Sequence, residues 1–168
     1  MSITVYNPAG IETIQDSKFV WVPSLAKIEA ATVAELNAGT AFTCALTKFS
    51  NKSDASESED KRICSRNAKK RPGPITYAID DLDIIIDDPQ KPDAFIDSLE
   101  PGVHGYIVEF PHLSPDTDIA SGQRYYAWQV TVKKKEPGDI TTSDGELFVM
   151  NVGWSVQDRT LKGVVAGS

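Results

Sequence analysis

The residues best suited to chemistry are five aspartates in the middle of the chain, Asp80, Asp81, Asp83, Asp87 and Asp88. Carboxylates at this density suggest calcium, which takes about six to eight oxygen ligands. Calcium loops wrap around the ion, whereas alternating apolar residues place these aspartates in a row along a strand. A solvated acidic face is therefore the favoured interpretation, and we predict no metal site and no cofactor.

Motifs for catalysis are missing from the sequence. It contains no nucleophile elbow, phosphate-binding loop or dinucleotide-binding motif, and its only histidines are His104 and His112. Residues 81–83 form a DxD sequence, but no α/β pattern accompanies it. Cys44 and Cys64 lack metal-binding spacing, and we expect free thiols, with a disulfide across the intervening loop as the alternative. The sequence predicts a protein that is not an enzyme.

The aspartates lie within residues 71–105, the stretch around which the chain is organised. Its apolar residues occupy odd positions before Asp80 and even positions after Asp81. The two sets are Ile75, Tyr77 and Ile79, then Leu82, Ile84 and Ile86. Because side chains alternate faces along a strand, this change of register predicts a β-bulge or a sheet-to-sheet crossing at Asp80-Asp81.

Beyond the predicted crossing, Asp81, Asp83 and Asp87 share the face opposite the apolar side chains. The strand is thus expected to be buried on one face and strongly anionic on the other. Prolines at 89 and 92 end it. Apolar spacing then predicts a helix of about two turns over residues 92–99, laid on the sheet.

Composition favours a single compact domain over residues 1–168, with a net charge of −7. This charge argues against a general nucleic-acid-binding protein, which usually carries a basic stripe. We find no apolar stretch long enough to span a membrane and no secretory leader, and expect the protein to be made and kept in a cytosol.

Periodicity predicts the remaining elements. Residues 1–18 are predicted to form an N-terminal arm with one short strand. Thr32 and Glu35 form a capping box, which predicts a helix of one or two turns ending near Gly39. Alternation predicts strands over residues 19–22, 41–48, 103–110, 124–134 and 148–156, the last two as a hairpin with a long turn, and an edge strand or tail over 161–168.

Residues 50–70 show no periodicity, and their composition predicts a long mobile loop. Its charges are segregated, with acidic residues first and basic residues after them. These are Asp54, Glu57, Glu59, Asp60, Lys61, Arg62, Arg66, Lys69, Lys70 and Arg71. Such a loop either solubilises the protein or docks against copies of itself as an inter-ring or inter-subunit loop. It lacks the interleaved aromatic residues of a nucleic-acid site.

Several stretches together resemble a known family. They are the short helix at residues 34–39, the segment 60–65 that ends the long loop, Arg71-Pro72-Gly73 at the start of the long strand and Asp88-Pro89-Gln90 at the corner before the second helix. Their order is similar to that in the major tail tube proteins of long-tailed, siphovirus-type bacteriophages, especially those of actinobacterial hosts. The resemblance spans residues 33–105, with a looser match beyond.

This resemblance implies a mainly β fold, a β-sandwich or split barrel with one or two short helices and a long loop. It further implies a homo-oligomer of hexameric rings stacked into a hollow tube, through which DNA passes without specific binding. Tape measure and tail terminator proteins would be partners. The protein would be assembled in the host cytoplasm and located in the virion, with no membrane association.

Physical reasoning fits these expectations. An uncapped sheet edge endangers a monomer, but in a ring neighbouring strands continue one barrel across it. An acidic bore would repel DNA and keep it from sticking, and Asp81, Asp83 and Asp87 are the candidate bore-facing acids. The alternatives are a tail terminator or head-to-tail joining protein, a tube protein of a contractile injection system, and a β-sandwich module that binds sugar or calcium.

Overall fold

A computed structural model describes residues 17–61, 63 and 69–167. The described chain is mainly β with two short α-helices, as predicted. In chain order its elements are β1 Ser17–Val22, α1 Val33–Asn37, β2 Thr40–Ala41, a 3-10 turn Thr43–Ala45, β3 Asn51–Asp60, β4 Lys69–Ile79, β5 Leu82–Ile85, α2 Ala94–Ser98, β6 His104–Pro111, β7 Arg124–Pro137 and β8 Val149–Val164. Of the predicted N-terminal arm, only Ser17 and Lys18 fall among the described residues, and they begin β1.

Six of the strands form one antiparallel sheet in the order β2-β1-β6-β7-β8-β5. The strands β3 and β4 pair only with each other. The predicted hairpin of the last two long strands is confirmed, since β7 and β8 pair from Arg124↔Val164 to Pro137↔Met150.

The sheet is curled into a half-barrel. Strands β1 and β8 are three strand spacings apart, about 14 Å along a flat sheet. The rings of Trp21 on β1 and Trp154 on β8 nevertheless lie 5.5 Å apart, centroid to centroid. After β2 at one edge, the chain also crosses to the other edge, where Leu46 bridges Ile84 of β5. This arrangement confirms the predicted split barrel.

Each face of the curled sheet carries a buried core. On β1, Phe19 and Trp21 point into the concave face, while Val20 and Val22 point to the convex face. The inner core, on the concave face, is made of Phe19, Trp21, Phe42, Ile79, Leu82, Ile84, Ile96, Leu99, Ile107, Trp128, Val130, Val132, Val152 and Trp154. The outer core, covered by α1 and the segment before it, is made of Val20, Val22, Leu25, Ala31, Leu36, Val108, Phe110, Ile119, Tyr125, Ala127 and Val165.

The change of register at Asp80-Asp81 is a sheet-to-sheet crossing. Strand β4 ends at Ile79 and pairs with β3, whereas β5 begins at Leu82 and pairs with β8. Ile79 and Leu82 are only 4% and 1% exposed and both join the inner core. Two intervening residues therefore let the chain change sheets while both flanking side chains stay buried.

Both predicted helices are present and capped by their own side chains. The Thr32 hydroxyl accepts a hydrogen bond from the Glu35 N–H at 3.3 Å, and the Glu35 carboxylate accepts one from the Thr32 N–H at 2.8 Å. Bonds to the Glu35 carboxylate from the Thr32 N–H, the Ala26 N–H and the Thr32 hydroxyl lower the pKa of Glu35. At α2, Asp93 accepts bonds from the Phe95 and Ile96 N–H groups at 3.0 and 3.1 Å.

The predicted strand over residues 41–48 is wrong. Only Thr40–Ala41 pair with β1, and Thr43–Ala45 form the 3-10 turn. The expected alternation of burial is also lost, since Phe42 is buried but Cys44 is exposed. The segment turns across the open side of the barrel toward β5. Packing of the inner core thus overrides the strand pattern.

Two further predictions need correction. Much of the predicted loop over 50–70 is β3, because backbone pairing with β4 orders a segment whose side chains bury almost nothing. The end of that loop at 62 and 64–68, which includes Cys64, lies outside the described residues. Residues 161–164 complete β8 against β7 instead of forming an edge strand or tail.

Candidate assembly surfaces

The β3–β4 hairpin is the most exposed pair of long strands in the described chain. Nine of the ten residues of β3 are exposed, and only Asp60 is partly covered. In β4, only Ile79 is fully buried. A two-stranded ribbon of this kind has no core of its own and is at best marginally stable in water.

Ion pairs join the two strands of the hairpin. Lys70 lies 2.9 Å from Glu57, and Arg71 lies 2.6 Å from Asp60. The acidic and basic halves of the predicted loop thus become facing strands. Of the remaining predicted loop residues, Lys61 pairs with Glu59 at 3.1 Å, Asp54 and Lys69 are exposed, and Arg62 and Arg66 lie outside the described residues.

The base of the hairpin is fixed to the sheet. The Arg159 guanidinium of β8 stacks 4.4 Å above the centre of the Tyr77 ring. Lys52 donates a 2.8 Å hydrogen bond to Asp80, and this bond lowers the pKa of Asp80. The hairpin is therefore held at the end next to the crossing, and its other end projects away from it.

The predicted aspartate row lies on β5 and just beyond it. Asp81, Asp83 and Asp87 are exposed, opposite the buried Leu82 and Ile84. This one-sided strand is as predicted.

The charge of that row is more mixed than predicted. Lys134 lies 2.8 Å from Asp81 and Lys133 lies 3.9 Å from it, and the hydrogen bond to Asp81 raises the pKa of Lys134. Asn151 donates a 2.9 Å hydrogen bond to Asp83. Lysines from β7 thus offset the acid nearest the crossing.

An apolar groove lies at the end of the barrel where β5 stops, and we call it the end groove. Its volume is about 360 Å³. Three segments form its apolar surface: the end of β5 with Ile86, helix α2 with Ile96, and the β7–β8 loop with Ile140 and Phe148. Ile140 and Phe148 are 88% and 57% exposed, so large apolar area faces solvent here.

Acidic side chains flank the end groove. Asp97 of α2 and Asp139 of the β7–β8 loop are exposed and form no ion pair within the described part of the chain. The groove's one basic side chain among the described residues, Lys91, is paired with Asp88 at 3.3 Å. The groove therefore suits a partner that presents an apolar side chain next to a positively charged one.

Comparison with known proteins identifies the family. A model described as "Phage tail tube protein" matches residues 9–168. The chain belongs to the phage tail tube protein family. It is accordingly a structural protein of the phage tail and not an enzyme, and its place is the virion. The resemblance predicted from residues 33–105 is confirmed and extends over nearly the whole chain.

A solved structure supports the fold of this tail tube protein. The match is to a chain in the "Cryo-EM structure of the anti-feeding prophage (AFP) baseplate, 6-fold symmetrised", with a TM-score of 0.52. The sequences are 10% identical, and the alignment covers 95% of this chain and 98% of that chain. At this identity the likeness concerns the fold alone. No curated protein matches the sequence.

The described part of the tail tube protein shows neither a metal-binding cluster nor a membrane-spanning helix. Across residues 17–61, 63 and 69–167, no group of three or more histidines, cysteines and acids is placed to hold a metal ion. Within the same residues, no helix has the length and apolar character needed to cross a membrane.

Sequence reasoning missed the end groove. Its apolar residues come from three separate segments, and each segment alone reads as a turn or a short helix. The available signal was the presence of Ile140, Leu147 and Phe148 in an otherwise polar, turn-rich stretch. Large apolar side chains in such a loop are typical of a contact surface.

Proposed function

We propose that this tail tube protein assembles into hexameric rings that stack into a hollow tube through which DNA passes into the host. The observation that carries the proposal is the exposed β3–β4 hairpin. Its strands cover ten and eleven residues but have no core of their own except near the base. Such a ribbon is only marginally stable alone, so we infer that contact with another subunit stabilises it.

Six subunits in a ring is the number that the family resemblance favours. The matched anti-feeding prophage baseplate was six-fold symmetrised, which supports the same symmetry here. We further propose that the chain is one domain, that tape measure and tail terminator proteins are its partners, and that assembly takes place in the host cytoplasm. An actinobacterial host stays a prediction from the resemblance.

Electron microscopy of the concentrated, purified protein tests the proposal. Long hollow tubes are the expected result, with six-fold symmetry in averaged end views. Isolated rings would instead favour a tail terminator or head-to-tail joining protein on the same fold. A protein that stays monomeric at all concentrations would overturn the proposal in favour of a β-sandwich binding module.

The acids of the β5 row are proposed to face the bore, where negative charge keeps DNA from sticking. Asp83→Lys with Asp87→Lys adds four units of charge per subunit and leaves the Asp81–Lys134 pair in place. We expect normal tubes by microscopy and a loss of infectivity of about tenfold or more, relieved at higher salt.

Asp116→Lys with Asp118→Lys is the matched control, because both acids are exposed in the loop after β6. It makes the same charge change elsewhere. Normal infectivity of the Asp83 and Asp87 double variant would contradict the bore location, and loss of its tubes would place these residues in a subunit contact.

A further inference from the structure

The hairpin end and the end groove lie at opposite ends of the subunit. On β8, Val149 pairs with Ile85 and Val152 with Leu82, while Arg159 lies over Tyr77. The residues of β4 therefore lie beside the C-terminal part of β8, whereas β5 lies beside its N-terminal part. The groove is at the N-terminal end of β8, so β4 extends away from it. Residues 69–86 measure roughly 56 Å when fully extended, at about 3.3 Å a residue.

The two ends have complementary chemistry. Ile63, in the turn between β3 and β4, is fully exposed. Lys69 begins β4 at the same end of the hairpin and is exposed, while Lys61, two residues before Ile63, is paired with Glu59. The groove offers the opposite set, an apolar surface flanked by Asp97 and Asp139, which form no ion pair with any described residue. One end therefore presents an exposed apolar side chain with cations, and the other an apolar recess with anions.

We propose that the hairpin end of one subunit docks into the end groove of a second copy, with Ile63 in the apolar recess and Lys69 facing Asp97 and Asp139. This inference rests on the proposed function and names the surface that receives the hairpin. A contact between two different patches is heterologous, and where the patches lie at opposite ends of the molecule it lets copies stack end to end without closing into a ring. Burial of Ile63 supplies attraction, and the charges select the register.

Disulfide trapping tests the contact directly. In a Cys44→Ser, Cys64→Ser background, Ile63→Cys is combined with Phe148→Cys. Each subunit then carries two thiols, one at the hairpin end and one in the end groove. Oxidation of assembled tubes should therefore give a ladder of covalent dimers, trimers and longer chains on a non-reducing gel. Both positions are exposed, and the variant should therefore fold.

The matched control combines Ile75→Cys with Phe148→Cys in the same background. Ile75 is exposed on the same hairpin but closer to its base. We expect no ladder from it. Tubes that form normally without a ladder from Ile63→Cys, or with an equal ladder from Ile75→Cys, would overturn the proposed contact and leave the tube function standing. Failure of the wild-type protein to form tubes would overturn the tube function itself.

A charge exchange gives a second measurement that needs no cross-link. Lys69→Glu should lower the yield of tubes about tenfold, because it places an acid beside the acids of the groove. Asp97→Lys with Asp139→Lys, added to Lys69→Glu, should restore the yield. A triple variant no better than Lys69→Glu alone would contradict the pairing of these residues.

Discussion

The curled sheet and the β3–β4 hairpin show two ways in which one chain makes long strands. In β7, Trp128 packs into the inner core while Tyr125 packs into the outer core, so both faces are buried. In β3, neither face is buried, and pairing with β4 and ion pairs hold the strand. Fold stability therefore resides in the sheet, and the hairpin is free to serve contacts between subunits.

The largest expected effect separates these regions. Trp128→Ala removes the largest fully buried side chain and should lower the free energy of unfolding by about 3–5 kcal/mol. Ile75→Ala is the matched change in the hairpin, and because Ile75 is about half exposed it should cost less than about 1 kcal/mol. Urea unfolding of the unassembled subunit, followed by circular dichroism, measures both. Equal losses would refute the division of stability.

The next effect concerns the joint between the two regions. Deleting Asp80 leaves one residue for the crossing, so Ile79 and Leu82 can no longer both reach the inner core. We expect a loss of about 2–3 kcal/mol, the value of one buried aliphatic side chain.

Asp80→Ala is the control for this deletion, because it removes the contact with Lys52 but keeps the chain length. Thermal unfolding of the two variants gives the comparison. If the deletion variant has the same melting temperature as Asp80→Ala, the crossing tolerates a shorter connection.

The crossing also shows what sequence reasoning captured and where it failed. The shift from odd to even apolar positions around Asp80-Asp81 is a local pattern with a single geometric meaning, and so it was readable. The segment 41–48 has an equally clear pattern, but Phe42 and Leu46 serve barrel closure, which depends on distant strands. Strand β3 was missed because composition reports side-chain burial, whereas its order comes from backbone pairing.

A smaller, pH-dependent effect comes from an acid within the curled sheet. Glu109 on β6 lies between Phe19 and Tyr126 of the neighbouring strands, and burial raises the pKa of its carboxyl group. A raised pKa in the folded state means that the ionised form destabilises the fold. This cost is absent below the unfolded pKa of about 4.3 and grows as pH rises toward the folded value.

Glu109→Gln should therefore raise the melting temperature at pH 7, and the gain should shrink as pH falls toward 4. Glu29→Gln, at an exposed position, should show no such gain. Melting curves at several pH values measure both. A gain for Glu109→Gln that is the same at pH 4 and pH 7 would mean that the ionisation of Glu109 is not its cause.

The smallest expected effect is that of an ion pair in the hairpin. Arg71 and Asp60 lie 2.6 Å apart, with the arginine side chain 62% exposed. Exposed pairs contribute at most about 1 kcal/mol, so Arg71→Ala should change subunit stability by less than this amount. The Debye length, the distance over which salt screens charges, is about 10 Å at 0.1 M and shorter at higher salt. The stability difference between Arg71→Ala and wild type should therefore disappear in about 1 M salt. The effect of Trp128→Ala should persist there, since burial and not charge causes it.

Urea unfolding at low and high salt makes this comparison. A loss above about 2 kcal/mol that survives high salt would show that the hairpin is part of the folding core, and would undo the contrast between the two regions.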